Sequence, residues 1–177
     1  MELLQEPNPS ITKNLFLTSL NESKETIKIK IVNVGNIFKS KMNGKPNIFI
    51  DLLILSHFEC KTLKLDANNK PETNEQGKEI ITKENILNNI VSIPYNLVSD
   101  RNNPNNYIVS NRSNIFNILN YSLQEKGLIS KNNNQGFNIT EKEIQEALIN
   151  IVCCVKCELI TNTNYKPYLK LIPVIKD

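Results

Sequence analysis

Four cysteines, a single histidine, and a scatter of lysines and aromatic rings are the residues of this chain best suited to chemistry. Cys154-Val-Lys-Cys157 has the spacing of half a metal site, and His57-Phe-Glu-Cys60 offers two more ligands of a kind that suits zinc. The surrounding pattern argues for another use. Residues 149–160 read as a strand in which Cys153 and Cys157 share an apolar face with Ile151, Val155 and Leu159, while Cys154 points away with Lys156. Metal-binding cysteine pairs usually sit on tight turns, and no glycine or turn residue interrupts this segment. Buried cysteines behave as small hydrophobes, so we expect neither metal nor cofactor. His57 follows a long apolar run with no nucleophile motif beside it, and reads as a strand-end surface residue rather than a general base. Glu141, Glu143 and Glu146 complement the start of a helix. Asp51 belongs on a solvent face beside Phe49 and Leu53, or against a lysine, and has no partner carboxylate for acid–base work. A glycine-rich phosphate loop is lacking as well. These readings point away from an enzyme.

Cations interleaved with rings suggest binding instead. Residues 35–46 carry Lys39, Lys41 and Lys45 without an acidic residue, together with Phe38 and an Asn43-Gly44 turn; Phe49 follows in the next strand. Near the end of the chain Tyr165 and Lys166 are followed by Tyr168 and Lys170, and Lys28 and Lys30 project from the first strand. Single-stranded nucleic acid requires both ingredients, because cations track the phosphates while planar rings stack on bases at roughly 1–3 kcal/mol per base.

These residues must be positioned by one domain of 177 residues, with 40% apolar content and no tryptophan. Asparagine, isoleucine and lysine are abundant, as a biased base composition would produce. The net charge of +3 permits an anionic partner without demanding one, so local clustering must decide. The sequence holds no run of 18 apolar residues and opens without the regions of a signal peptide. A cytoplasmic protein with reduced cysteines and no membrane contact is the expectation.

Residues 1–25 read as an extended, partly packed arm with an apolar patch at Leu15-Phe16-Leu17. Three strands are expected at 26–34, 47–56 and 60–66, then a polar loop at 67–79, a helical turn and a strand within 80–98, and an asparagine-rich loop. Ile115, Phe116, Ile118, Leu119 and Leu123 form a stripe that predicts a helix over 112–126, capped by Ser110 or Ser113 and ended by Gly127. Thr140 and Glu143 form a capping box for a second helix at 141–148. Strands at 149–160 and 167–175, joined by a loop at 161–166, close the chain. The fold class is therefore mainly β with α insertions. Five strands with a helical segment between the third and fourth is the order of an oligonucleotide-binding (OB) barrel. The arm is followed by one domain over 26–177, with an insertion at about 67–139.

The layout of 26–66 and 149–175 resembles the OB-fold single-stranded DNA-binding proteins, including replication protein A-like domains of archaeal and phage type. The likeness is carried by Ile27-Lys-Ile-Lys-Ile-Val-Asn-Val-Gly35, by Asn47-Ile-Phe-Ile-Asp-Leu52 and by Tyr165-Lys-Pro-Tyr-Leu-Lys-Leu171, over about half of the chain. It implies a non-catalytic, sequence-tolerant binder of single strands, DNA first. It further implies that Lys39, Lys41, Lys45, Tyr165 and Lys166 make contact and that Phe38 and Phe49 stack. The alternative is an assembly module on an OB-like barrel, a homo-oligomer or a binder of another protein, with the Leu15-Phe16-Leu17 arm docked on a second subunit.

Overall fold

Alternation of Ile27, Ile29 and Ile31 with Lys28 and Lys30 sends the two sets to opposite faces of a pleated strand. In the computed structural model, which describes residues 6–129, 136–162 and 164–175, these isoleucines are at most 1% exposed. The elements in chain order are α1 (Lys13–Ser23), β1 (Ile27–Val34), β2 (Phe38–Lys39), β3 (Pro46–Ile54), β4 (Glu59–Leu63), β5 (Ile81–Asn85), β6 (Ile90–Asn96), β7 (Val98–Ser99), β8 (Asn106–Val109), α2 (Phe116–Glu125), β9 (Phe137–Thr140), α3 (Glu141–Leu148), β10 (Val152–Asn162) and β11 (Tyr165–Val174).

The main sheet is antiparallel, in the order β11-β10-β1-β3-β6, with β2 prolonging the β1 side of β3. β3 is its centre. Ile48, Ile50, Leu52 and Ile54 point inward and are at most 1% exposed, while Phe49, Asp51 and Leu53 face out. Asp51 lies where the sequence placed it, accepting a hydrogen bond from the Asn33 amide at 3.1 Å. A register shift between Ile31 and Asn33 marks a bulge in β1.

The expected closed barrel is not formed. The edge strands β6 and β11 do not pair among the described residues. Instead α1 packs against both of them and against β10 and β4. A helix about 10–12 Å across is too wide to fit within the roughly 4.8 Å spacing of a hydrogen-bonded strand pair, so its packing on both edges accords with their not pairing. This also corrects the reading of residues 1–25 as an extended arm; Met1–Gln5 lie outside the described residues. Thr12 caps α1 by accepting the Leu15 amide at 3.1 Å, and Lys24 ends it in the left-handed region at φ 56°. Phe16, Leu17 and Leu20 are buried, with Phe16 edge-on to Phe58 at 6.2 Å. The apolar patch thus packs within its own domain.

Two further expectations shift. The third strand of the main sheet is β6, not 60–66, which forms β4 and leaves the sheet to pair with β5. β5 replaces the expected helical turn. Its residues are all exposed, and β-branched Ile81 and Thr82 suit the outer strand of a hairpin. β7, β8 and β9 form a small separate sheet.

The helices follow the pattern more closely. α2 begins at Phe116 behind Ile115, which gives no side-chain cap; Ser110 and Ser113 instead hydrogen-bond within the preceding turn. Gly127, at φ 68°, ends it as expected. α3 spans the expected residues, and its capping box is complete: Thr140 Oγ1 accepts the Glu143 amide and Glu143 accepts the Thr140 amide. The Lys126 ammonium donates to the Glu146 and Ile149 carbonyls, joining α2 to the negative end of α3. Among the described residues, no helix is long and apolar enough to cross a membrane.

If α1 is a structural plug, Phe16→Ala should cost about 3–5 kcal/mol of folding stability, measured by urea denaturation. A cost below about 1 kcal/mol would show that α1 is dispensable.

Candidate nucleic-acid interface

The segment joining β1 to β3 is a tightly bonded hairpin. Gly35 N–H donates to the Phe49 carbonyl at 2.9 Å, Ser40 N–H to the Lys45 carbonyl at 2.9 Å, and Gly44 N–H to the Ser40 carbonyl at 2.8 Å. Asn43 Oδ1 accepts the Lys45 amide at 2.9 Å, and Gly44 takes φ 67°, a value that side-chain-bearing residues rarely adopt. Phe38 lies opposite Asn47, diagonal to Phe49, the arrangement in which large side chains on one sheet face meet. Their rings stack at 5.4 Å with planes 7° apart, and each remains 41% exposed. Two of the expected stacking residues thus form one platform. Lys39 and Lys41 are exposed nearby in the same hairpin.

At the base of this hairpin opens a cleft of about 810 Å³. Lys45 and Asn96 line it from one side; Asn96 is the strand partner of Asn47, so it shares the sheet face of Phe49. Ile160, Thr161, Tyr168 and Lys170 line it from the β10–β11 hairpin, and residues 111–114 close a third side. The Tyr168 hydroxyl donates to the Arg112 carbonyl at 3.4 Å, and the Lys170 ammonium to the Asn111 carbonyl at 3.5 Å. These bonds hold the turn before α2 against β11. Lys45, Arg112 and Lys170 are the cations of the lining, which contains no carboxylate.

Lys170 is the one buried member of that lining, at 5% exposure. Glu158 lies opposite it in the β10–β11 register, but the Glu158 carboxylate is paired with Lys156 at 2.7 Å. Removal from water therefore dominates, and burial pushes the Lys170 amine below its ordinary pKa.

The remaining expected contacts lie elsewhere. Lys28 and Lys30 project from the outer face of β1 opposite Cys154 and Val152, and Lys28 faces a separate depression with Tyr121 and Glu125. Lys30 pairs with Leu53, four residues and about 13 Å along β3 from Phe49. Lys166 is exposed on β11, outside the cleft lining. Tyr165 opens β11 opposite Asn162; its side chain and Thr163 lie outside the described residues. Arg112 was missed by sequence reasoning. It is one of only two arginines in the chain, but it stands in an asparagine-rich stretch with no ring or lysine beside it.

The cysteines follow the expected stripe. Cys153 is buried on the inner face and its thiol is pushed up to about 12, chiefly by burial; Cys157, also inward, is pushed up to about 11 for the same first reason. Cys60 is buried on β4, and its thiol approaches the Lys61 carbonyl at 3.3 Å. His57 Nδ1 meets the Asn85 amide at 2.9 Å. Among the described residues, His57, Cys60, Cys154 and Cys157 do not come together as a metal-ligand set.

No protein-family model matches the chain, nor does any curated protein or solved structure.

Burying the Lys170 charge without an anion should cost stability. Lys170→Met is expected to stabilise the unliganded protein by about 1 kcal/mol at neutral pH. Because the folded pKa is depressed, the penalty is full at lower pH and relaxes as the pH rises through that value. The gap between variant and parent should therefore narrow at alkaline pH, as read by chemical denaturation across pH.

Proposed function

We propose that the protein is a non-catalytic module that binds single-stranded nucleic acid, DNA first, with little sequence preference. The observation that carries this reading is one cleft that unites Lys45, from the hairpin between the first two strands of the main sheet, with Tyr168 and Lys170 of the closing hairpin. Three cations converge there without a carboxylate, and the exposed Phe38–Phe49 platform lies on the same sheet face. Phosphates would follow the cations while bases stack on the phenyl rings.

The strand order supports the same reading. Read as five strands, β11-β10-β1-β3-β6 is the order of an OB barrel opened between its third and fifth strands. In OB proteins the two loops that meet here flank the ligand face. The assembly alternative loses its motive, since Phe16 and Leu17 are buried within the domain.

Fluorescence anisotropy with labelled oligo-dT tests the proposal. Three phosphate contacts predict a slope of about −2 for log affinity against log salt, so raising salt from about 50 to 200 mM should weaken binding roughly twentyfold. Lys45→Gln should flatten the slope by about 0.7. Phe49→Ala should weaken binding by about 1–3 kcal/mol with the slope unchanged. Absence of binding at tens of micromolar protein in low salt would refute the reading.

A further inference from the structure

We infer that Lys170 and Arg112 form a phosphate subsite at the floor of the cleft, and that it prefers the terminal phosphomonoester of a strand to an internal phosphodiester. The inference rests on the strand-binding reading and specifies which part of the strand reaches deepest.

The Lys170 ammonium has donor capacity to spare. An ammonium group has three donors, and the Lys170 ammonium meets the Asn111 carbonyl only at 3.5 Å, the outer limit of a hydrogen bond. The lining contains no carboxylate, and the acid opposite Lys170 is held by Lys156. A buried charge left in this state is costly, so the structure favours an anion supplied from outside. Arg112 joins it at the cleft wall, with its backbone fixed by the Tyr168 hydroxyl.

Geometry and charge select the kind of anion. A diester at the floor would require the strand to enter and leave past Lys170, which is 5% exposed. A chain end enters once. A terminal monoester carries about −1.5 to −2 charge at neutral pH and three acceptor oxygens, against a single charge on a diester. Two cations complement the doubly charged group better. Neutral donors on the walls, Asn96, Ser113, Asn114 and Thr161, suit the sugar and base that follow.

The test compares an internally labelled oligo-dT bearing a 5′-phosphate, a 3′-phosphate or hydroxyls at both ends, bound by the full chain, by Lys170→Met and by Lys170→Arg. Circular dichroism confirms that each variant is folded. One phosphorylated end should bind roughly tenfold tighter than the hydroxyl form. Lys170→Met should reduce that ratio to less than about twofold whatever its absolute affinity, and Lys170→Arg should restore part of it. Equal binding of all three oligonucleotides overturns the subsite and leaves strand binding intact. Inorganic phosphate that shifts the Lys170 resonances without any end preference also overturns the assignment to a strand end. If no oligonucleotide binds, the strand-binding reading fails and the subsite falls with it.

Discussion

The packing of α1 against both edges of the main sheet is the constraint on which the rest depends. β6 and β11 are the strands that would pair if the sheet closed, and α1 touches each of them. With Phe16 and Leu20 fully buried, the helix satisfies the apolar faces that strand pairing would otherwise cover. The backbone groups along the two edges stay unpaired with each other, and the sheet remains open. The cleft is bordered by the ends of these same edges, Asn96 on one side and Tyr168 and Lys170 on the other. A sheet zipped shut would leave no cleft there.

The electrostatics of the cleft come from arrangement rather than from amount. A net charge of +3 over 177 residues is slight. Within β10, Glu158 is ion-paired with Lys156 two residues away, and Asp51 is engaged by Asn33 farther along β3. What remains around the cleft is Lys45, Arg112 and Lys170, of which Lys170 alone is withdrawn from water. The chain has few aromatic residues, and two of its six phenylalanines are placed on an exposed sheet face as a stacked pair. Exposing that much apolar surface carries a cost, one that packing of the domain interior does not require.

Local signals were legible. The alternation at 27–31, the near-continuous apolar run of β3, the capping box at Thr140 and Glu143 and the glycine after α2 each specify structure through neighbours in sequence, and each holds. The inward cysteine stripe followed from the two-residue period of β10. α1 was not legible, because its apolar residues are few and its polar stretch resembles a loop; packing against four strands, β4, β6, β10 and β11, decides it. Where the sequence predicts a helical turn, β5 forms instead, because its strand character comes from pairing with β4. The candidate site divides in the same way. Phe38, Phe49, Lys45, Tyr168 and Lys170 stood out by type and spacing. Arg112 did not, and Lys28 and Lys30 matched the pattern yet lie apart from the cleft.

The sequence by itself determined a β-rich domain, its helix termini, the faces of its longest strands and the two basic-aromatic segments, since all of these depend on interactions within a few residues. Only the tertiary structure decided that the sheet stays open, that α1 packs against both of its edge strands, and that segments more than a hundred residues apart meet in one cleft. Those outcomes rest on long-range packing, in which a helix of modest local propensity gains its stability from surfaces far away in the chain.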